Sequence, residues 1–597
     1  MGGTQVRKSA GTMRWILLWM LPALLAWSGC GADSDGVVKA APAADQARES
    51  AGPILLGTPP PRDELPGRAE PETQDSQVPG PGTAGADSPV QSARLEAAEP
   101  RGVDRPHFEA PDEVPPARAD AAPELERAVE RAIAKAMGTA NKRSKGKVHG
   151  NNTVVAIHVV DLASGQELIS RQAGASLLPA SNLKLITLAA ALAELGADHR
   201  IVTPFEAHGT IADGTLMGDL VVRAAGDPLY DDSPGGGIQP WARAVADQLR
   251  SAGIGRVDGD LILDEGGFAA PGPGPQWPSS RDHWKEYCAL SGGFSVNAGC
   301  FTAIVEATSP GQKARVRLTP AGSGAARSGT VKTVAKRKAL TVAVGAVPGK
   351  VTVRGSIPAD VPSYTARFAS PDPVALFGAA LVHALGVEGI EIQGQVVRVR
   401  VPGEGQLVAR MESPLASCAL PILRDSNNSV ADQVFLHLAY ATGQAPDRAG
   451  GQAAVSAALS RLGVSADGLV QVDGSGLSKA NRTSPRQLTA LVAAAMGRDG
   501  AGAELIRAHL PVAGETGSLS KRMRSGSARG RVRAKTGFVN GASGLSGLVE
   551  TESGRLLAFS ILVNYPHYDG LNTHAFKPMQ DAICQAMASS APAVTDR

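Results

Sequence analysis

Three short motifs in this 597-residue sequence carry residue types suited to acyl transfer: Ser181-Asn182-Leu183-Lys184, Ser426-Asn427-Asn428 and Lys535-Thr536-Gly537. Ser181 begins an apolar helical pattern, and Lys184 follows one turn later on the same face, which places the lysine amine beside the serine hydroxyl. A serine hydroxyl needs a neighbouring base to act as a nucleophile at neutral pH, and a lysine can be that base if burial and nearby cations lower its pKa. We therefore predict that Ser181 is a nucleophile and Lys184 its general base.

The other two motifs supply groups that complete such a site. Ser426 can relay a proton between Lys184 and a leaving group, and the side-chain amide of Asn428 can position a peptide backbone. The ammonium group of Lys535 and the hydroxyl of Thr536 suit a substrate that ends in a carboxylate. Without a catalytic role, Ser426 and Asn428 would be polar residues at the start of a helix, and Lys535 would be a charged residue on an edge strand.

Gly537 and Phe538 continue the same predicted edge strand. A glycine at this point lets the strand approach a bound ligand closely. We predict that the backbone N–H groups of Ser181 and Phe538 form an oxyanion hole, because such groups stabilise the negative charge of a tetrahedral intermediate.

Spacing alone does not single out the first motif, because Ser-x-x-Lys also occurs at Ser144 with Lys147 and at Ser518 with Lys521. Neither of these pairs begins an apolar helix. A lone serine at a helix start is as readily explained as an N-cap, and a lone lysine as an exposed cation. The three motifs together, in this order and on matching elements, favour a catalytic site.

The elements that position these residues can be predicted from hydrophobic periodicity. We predict helices near 125–137, 181–195, 373–385, 414–441, 452–462, 485–495 and 575–587, and strands near 154–160, 167–170, 531–538, 543–550 and 556–563. Helices at the beginning and middle with antiparallel strands at the end fit one α/β or α+β catalytic domain.

The chain is long enough for more than one folded unit. We predict that the catalytic domain is formed by residues 121–202 and 401–597. Residues 203–400 contain many short alternating strands between Gly and Pro residues, which indicates inserted β-rich domains between the first two motifs. Residues 31–120 are rich in Pro and Ala and lack periodic apolar residues, so we expect a disordered linker.

Residues 1–30 have the pattern of a signal peptide. Arg7, Lys8 and Arg14 precede an apolar run, residues 15–27, that is too short for a comfortable membrane span. A small residue before Cys30 suggests a lipoprotein signal in which Cys30 is lipidated, although a tryptophan three residues before the cysteine is unusual, and ordinary cleavage is the alternative. We expect an exported, periplasmic protein whose contact with the membrane is at most an N-terminal lipid anchor.

Four further cysteines, Cys288, Cys300, Cys418 and Cys584, fall in a chain expected to reach an oxidising compartment. We predict a disulfide between Cys288 and Cys300, because these two are close in sequence and bracket a glycine-rich turn. For Cys418 and Cys584, a disulfide and a pair of buried free thiols are both open.

Composition argues against several classes of partner. Lys and Arg total 59 and Asp and Glu 57, so the net charge of +2 gives no broad basic field for a nucleic acid. The eleven histidines show no spacing typical of a metal site, and no glycine-rich phosphate loop follows a strand. We expect neither a metal nor another cofactor.

Several longer segments resemble the low-molecular-mass class C penicillin-binding proteins, the S13 family of D-Ala-D-Ala carboxypeptidases and endopeptidases. They are LLPASNLKLIT around Ser181, GDLVVRAAGDP from Gly218, GSIPAD from Gly355, SNN from Ser426, DGSGLS from Asp473, LPVAG from Leu510 and GRVRAKTG from Gly530. The resemblance spans about residues 154–564. It implies the transpeptidase fold shared with serine β-lactamases, with inserted β-rich domains between the first two motifs.

The resemblance also implies a reaction on peptidoglycan stem peptides. Ser181 would be acylated by the penultimate D-Ala carbonyl, D-Ala or a cross-linked stem would leave, and water would hydrolyse the acyl-enzyme. β-Lactam antibiotics would acylate the same serine. This sequence departs from the family at Phe538, where relatives usually carry a hydroxyl residue that helps bind the carboxylate, and at Ala224-Ala225, where they carry glycines.

Two other functions stay open. One is a β-lactamase, against which Ser426 argues, because class C β-lactamases carry tyrosine at that position. The other is a wall-binding or penicillin-sensing protein without turnover, in which Phe538 has abolished catalysis. The intact polar residues of all three motifs argue against this second alternative.

Overall fold

The structure is a computed structural model that describes residues 122–228, 238–497 and 499–590. The predicted signal peptide (1–30), its candidate lipidation site Cys30 and the predicted linker (31–120) fall in the preceding residues, outside the described ranges. Within those ranges, no helix is both long enough and apolar enough to cross a membrane.

The elements at the beginning and end of the described chain form one α/β body. Those before residue 200 are α1 (Ala122–Arg143), β1 (Val154–Asp161), β2 (Glu167–Arg171) and α2 (Leu183–Leu195). The intervening stretch, residues 200–414, is rich in short strands. Its elements are β3 (Arg200–Ala212), β4 (Thr215–Arg223), α3 (Gln239–Ser251), β5 (Arg256–Val257), β6 (Leu261–Asp264), β7 (Cys300–Glu306), β8 (Arg315–Thr319), β9 (Ala326–Ser328), β10 (Val331–Val334), β11 (Ala343–Val347), β12 (Lys350–Pro358), β13 (Ser363–Ala369), α4 (Pro373–Val387), β14 (Glu391–Ile392), β15 (Val396–Arg398) and β16 (Gln406–Pro414).

The chain then returns to the α/β body with a group of helices and three long strands. These elements are α5 (Ala419–Leu423), α6 (Asn428–Ala441), α7 (Arg448–Arg461), α8 (Pro485–Met496), α9 (Ala501–His509), β17 (Val532–Val539), β18 (Ala542–Glu550), β19 (Leu556–Asn564) and α10 (Lys577–Ala588).

A five-stranded antiparallel sheet in the order β17-β18-β19-β1-β2 lies at the centre of this body. Side chains of one strand face opposite sides of the sheet in alternation. Ile157 and Val159 of β1 therefore pack into the core shared with α1 and α10, whereas Ala156 packs into the core shared with α2. Helices cover both faces, and β17, which carries the Lys-Thr-Gly motif, is left at one edge.

The stretch between the first two motifs leaves and rejoins the body at one place. Its first strand, β3, pairs antiparallel with its last strand, β16, and Arg200 lies opposite Pro414. This pairing holds the end of α2 near the start of α5, so a long insertion does not separate the two motifs in space.

The sequence prediction was wrong for three helical segments. The helix predicted over 414–441 is broken into α5 and α6, because Ser426 has a positive φ of 59° and Asn427 caps α6 by accepting from the Val430 N–H at 3.1 Å. The helices α3 and α9 were missed. Both helices have a clear amphipathic pattern, with an apolar stripe that is buried and a polar side that is exposed, so the sequence did carry the periodic signal.

Candidate active site

Ser181 and Lys184 lie on consecutive turns at the start of α2. Ser181 is in a short 3₁₀ turn, Ala180–Asn182, that leads directly into the helix. The Lys184 side chain is completely buried, and its Nζ lies 3.2 Å from the Ser181 Oγ. The pair therefore has the contact that the sequence spacing predicted.

Two carbonyl oxygens hold the other side of the Lys184 amine. Nζ donates to Asn428 Oδ1 at 2.6 Å and to the Ser475 carbonyl at 2.7 Å. Carbonyl oxygens can only accept, whereas the Ser181 hydroxyl can also donate. An ammonium group can donate to all three oxygens, and a neutral amine can donate to the two carbonyls and accept from the serine hydroxyl, which is the form that a general base needs. Burial favours that neutral form of a lysine.

Asn428 is the first residue of α6 and bridges two parts of the chain. Its Oδ1 accepts from Lys184, and its Nδ2 donates to the Tyr287 carbonyl at 2.8 Å, in the stretch that precedes β7. From the sequence, we predicted that this amide positions the backbone of a peptide substrate. The structure instead uses both ends of the amide within the protein, which leaves one N–H of Nδ2 for a substrate.

Ser426 pairs with the second buried lysine of the site. Lys535 has no exposed surface, and its Nζ donates to Ser426 Oγ at 2.8 Å and to the Thr536 carbonyl at 3.0 Å. Ser426 adopts a left-handed backbone conformation, which is uncommon for a residue with a side chain and is often found at functional sites. Each lysine thus contacts one serine hydroxyl.

The edge strand β17 packs directly on the turn that carries Ser181. A Cβ atom on Gly537 would lie 2.4 Å from Asn182 Nδ2 and 2.8 Å from the Pro179 carbonyl, so the site requires glycine here. From the sequence, we predicted that Gly537 lets the strand approach a ligand closely. In the structure, the group that lies close to Gly537 is the turn that carries Ser181. Phe538, two residues after Thr536, is exposed at the rim.

Ser518, which the sequence analysis did not choose as the nucleophile, also lies at this rim. Ser518 Oγ is 2.8 Å from Thr536 Oγ1, and the Ser518 residue is exposed. Its spacing from Lys521 is only a chance match to Ser-x-x-Lys. The contact instead places a second hydroxyl beside the Lys-Thr-Gly strand.

Sequence reasoning missed the loop that supplies the Ser475 carbonyl. Asp473 shapes this loop by accepting from the N–H groups of Gly476 at 2.8 Å and Ser478 at 2.7 Å. Gly476 has a positive φ of 81°, and a Cβ there would lie 2.0 Å from the Ala180 carbonyl. The turn residues of DGSGLS signal a tight loop, but no side-chain chemistry marks a backbone carbonyl as part of a site.

Asp432 is a second residue that the motifs did not reveal. It lies one helical turn after Asn428 on α6 and is almost fully buried, and its Oδ1 has no hydrogen-bond partner among the described residues. Burial and, after it, the negative charge of Asp473 raise the pKa of Asp432 to about 8, against the opposing effects of the Lys184 charge and of hydrogen bonds with Ser475.

Replacing Asp432 with asparagine is expected to change the pH dependence of stability. The pKa of this carboxyl is above its ordinary value of 3.8, so the stability it contributes is greatest at low pH and is lost as the pH rises towards about 8. Asparagine does not titrate. The unfolding free energy of Asp432→Asn relative to the parent should therefore rise between pH 4 and pH 8, by at most about 1.4 kcal/mol per pH unit. Urea unfolding at several pH values checks this, and parallel curves for the two proteins would contradict it.

The predicted disulfide between Cys288 and Cys300 was wrong, because all four cysteines of the described chain are free and buried. Cys300 Sγ instead contacts the Ala298 carbonyl at 3.5 Å. Cys418 and Cys584 belong to two different hydrophobic cores, so their thiols do not meet. Burial raises the pKa of Cys288 and of Cys300 to about 12, which keeps both as unreactive thiols.

Comparisons with known proteins agree with the resemblance carried by the motifs. Residues 143–589 match the family model described as the D-Ala-D-Ala carboxypeptidase 3 (S13) family. A D-alanyl-D-alanine carboxypeptidase of Actinomadura sp. (strain R39) is 33% identical over 456 residues, which cover 73% of this chain and 82% of that protein. The D-alanyl-D-alanine carboxypeptidase DacB of Haemophilus influenzae is 27% identical over 401 residues, which cover 65% of this chain and 80% of that protein.

The fold is likewise that of a solved structure. Penicillin-binding protein 4 of Haemophilus influenzae superimposes with a TM-score of 0.61 at 23% sequence identity, over 75% of this chain and 98% of that one. The predicted penicillin-binding-protein fold is thereby confirmed. The match to the family model covers most of the chain and includes all three motifs, so this chain belongs to the D-Ala-D-Ala carboxypeptidase 3 (S13) family of serine peptidases, the low-molecular-mass class C penicillin-binding proteins.

Proposed function

We propose that this protein is a D-Ala-D-Ala carboxypeptidase or endopeptidase that cleaves peptidoglycan stem peptides through an acyl-enzyme on Ser181. The observation that carries the proposal is the set of contacts of the buried Lys184, whose amine joins the serine hydroxyl to two carbonyl oxygens. Family membership supports the reaction class, and the contacts support the choice of nucleophile and base.

In the first step, Lys184 accepts the Ser181 proton while Oγ attacks the carbonyl of the penultimate D-Ala. The negative oxygen of the tetrahedral intermediate would be held by the backbone N–H groups of Ser181 and Phe538. When the peptide C–N bond breaks, the leaving amine needs a proton. Ser426, whose hydroxyl is held by the Lys535 ammonium group, can give its own proton to the amine and take in return the proton that Lys184 removed from Ser181, which leaves both Ser426 and Lys184 as they began.

In the second step, water attacks the acyl-enzyme, and Lys184 accepts a proton from this water and returns one to Ser181. The same serine would be acylated by β-lactams, which carry a reactive amide and a nearby carboxylate. A cross-linked stem differs from a terminal D-Ala only in the group attached to the leaving amine, so one site accounts for carboxypeptidase and endopeptidase activity.

D-Ala release from a short acyl-D-Ala-D-Ala peptide tests this function. The proposal expects one free D-Ala for each peptide cleaved and slow release of penicillin after acylation. A folded protein that binds penicillin covalently but releases no D-Ala would favour the penicillin-sensing alternative. Rapid hydrolysis of penicillin would instead favour a β-lactamase.

We further propose that Ser518 helps to bind the substrate carboxylate. A carboxylate has two oxygen atoms to satisfy, and Phe538 offers no side-chain donor. The hydroxyls of Thr536 and Ser518 lie 2.8 Å apart on the rim, where each can turn from the other towards one carboxylate oxygen. The Lys535 charge lies beneath the same strand.

Replacing Ser518 with alanine is expected to lower kcat/KM for a peptide with a free terminal carboxylate by about tenfold, the effect of one hydrogen bond to a charged group. Cleavage of the matching peptide carboxamide should change little. Ser518→Thr should restore the preference, and Ser525→Ala, at an exposed serine of the same segment, is the control. Equal losses on both peptides would show that Ser518 does not recognise the carboxylate.

The substrate lies outside the cytoplasm, which supports the prediction that residues 1–30 direct export. We propose that the mature protein is periplasmic, with Cys30 as the site of lipid attachment. The mass of the mature N-terminus distinguishes a lipidated Cys30 from ordinary cleavage, and an unmodified N-terminus beyond Cys30 would rule out the anchor.

A further inference from the structure

The segment 307–359 within the β-rich stretch has an unusual distribution of charge. It contains ten basic residues and not one Asp or Glu, although the whole chain has nearly equal numbers of both signs. All ten are exposed: Lys313, Arg315, Arg317, Arg327, Lys332, Lys336, Arg337, Lys338, Lys350 and Arg354. The ion pairs of the described residues include none of them; those pairs join other Arg, Lys or His side chains to Asp or Glu.

Strand register places six of these cations on one surface, the basic face, which consists of Lys313, Arg315, Arg317, Lys332, Lys350 and Arg354. Alternation along β8 and the residues before it puts the first three on the same side. Lys313 lies opposite Lys332 in an antiparallel bridge, which joins the edge of β8 to β10. The parallel pairing of β10 with β12 sets Lys332 opposite Ser356, on the side of β12 that also carries Lys350 and Arg354.

The opposite side of the same strands is apolar. Val331, Val351 and Val353 are buried, and Val316 and Leu318 pack against the main core. These residues account for the folding of the strands. Among the cations, Arg315 lies opposite Glu306 of β7, whereas Lys313 and Lys332 lie directly opposite each other, and like charges in that position destabilise a strand pair. An anionic partner on this face would remove that repulsion.

We propose that the basic face binds the peptidoglycan polymer through the carboxylates of stem peptides other than the one being cleaved. This inference rests on the proposed function, which makes a carboxylate-bearing polymer the substrate. The cations repeat at about 7 Å along a strand and about 5 Å between strands, so they match a partner with many separated carboxylates. Residues 307–359 contain no Phe, Trp or Tyr, the side chains that anchor proteins at a membrane interface or stack on nucleic-acid bases.

The test is a pelleting assay with insoluble peptidoglycan from which phosphate-containing polymers have been removed. Full-length protein carrying Ser181→Ala is used, so that the polymer is not digested during binding. Reversing four charges of the basic face, with Arg315→Glu, Arg317→Glu, Lys332→Glu and Arg354→Glu, should weaken binding by about tenfold or more at low salt, and rising salt should weaken binding of the parent as well.

A control variant carries the same change in net charge elsewhere. Arg127→Glu, Lys135→Glu, Lys142→Glu and Lys145→Glu reverse four exposed cations on and just after α1. This variant should bind like the parent. Equal loss in both variants would mean that only net charge matters and would overturn a specific surface.

A single change separates binding from folding. Lys332→Glu turns the repulsive pair with Lys313 into an attractive one, so the thermal midpoint should be unchanged or higher. Binding to peptidoglycan should nevertheless fall. A lower midpoint together with weaker binding would attribute the loss to misfolding and would count against the proposal.

The same binding experiment also tests two other anionic partners for the basic face. Binding that appears only with untreated cell wall would assign the face to a phosphate polymer, and binding only to vesicles containing anionic lipid would assign it to the membrane. Either result overturns the proposal. D-Ala release by the parent protein is measured separately, so failure of the proposed function is distinguishable from failure of this one.

Discussion

Replacing Ser181 with alanine is expected to lower D-Ala release by about 10⁶-fold, the effect of removing a nucleophilic serine in another serine peptidase. Without the hydroxyl no acyl-enzyme forms, and the remaining groups can only bind the substrate. The fold should persist, because alanine fits the 3₁₀ turn and Lys184 keeps its contacts with Asn428 and the Ser475 carbonyl. The measurement is the rate of D-Ala release from a short peptide, together with the thermal midpoint.

Ser176→Ala provides the matched control for this prediction. Ser176 is an exposed serine five residues earlier in the same segment. It should keep full activity. Residual turnover in Ser181→Ala that matches the control would remove Ser181 from the reaction and would leave the three motifs without their central role.

Replacing Lys184 with methionine is expected to slow acylation of Ser181 by about 10²- to 10⁴-fold, the usual effect of losing a general base. Methionine has a similar length and suits the buried position, but it cannot accept the serine proton. The two carbonyl oxygens that now receive from Lys184 would lose a donor, so a lower unfolding free energy is also expected. The rate of covalent labelling by a fluorescent penicillin measures acylation directly.

Lys521→Met is the control for the lysine. It removes an exposed lysine that also follows a serine by three residues, without touching the Lys184 contacts. Labelling of this control should proceed at the parent rate. If Lys184→Met were labelled equally fast, the base would have to be another group, with Lys535 next to Ser426 as the nearest candidate.

The polar residues of the three motifs could be found from the sequence because their function lies in their side chains. A polar residue in an apolar helix or strand that must be buried has few explanations other than a functional one. This holds for Ser181, Lys184 and Lys535. The pairing of β1 with β19 joins the beginning of the described chain to its end, and the continuous apolar runs of both segments predicted strands. What the sequence did not reveal is which group each lysine would contact.

The rest of the site depends on backbone geometry and long-range contacts. The Ser475 carbonyl belongs to the peptide backbone, so the residue type says nothing of its role, and the buried Asp432 looks like any polar residue of a helix. The Tyr287 carbonyl reaches Asn428 only because the chain returns there from the β-rich stretch. The cysteine prediction failed for a related reason, since proximity in sequence does not orient two thiols towards each other.

The distribution of charge over the surface could not be predicted from the net charge of the chain. The net charge of +2 argued against a broad basic field, but a total averages over the whole chain. The strands around Lys313 and Lys332 collect cations on one side, and only their register shows that these share a surface.

The mass of the peptide that carries a bound penicillin shows directly whether Ser181 is the nucleophile. Purified protein is incubated with a fluorescent penicillin, digested and analysed for the modified residue. We predict a single adduct on Ser181 that is absent from Ser181→Ala. An adduct on another serine, or no adduct on well-folded protein, would contradict it and favour a wall-binding protein without turnover.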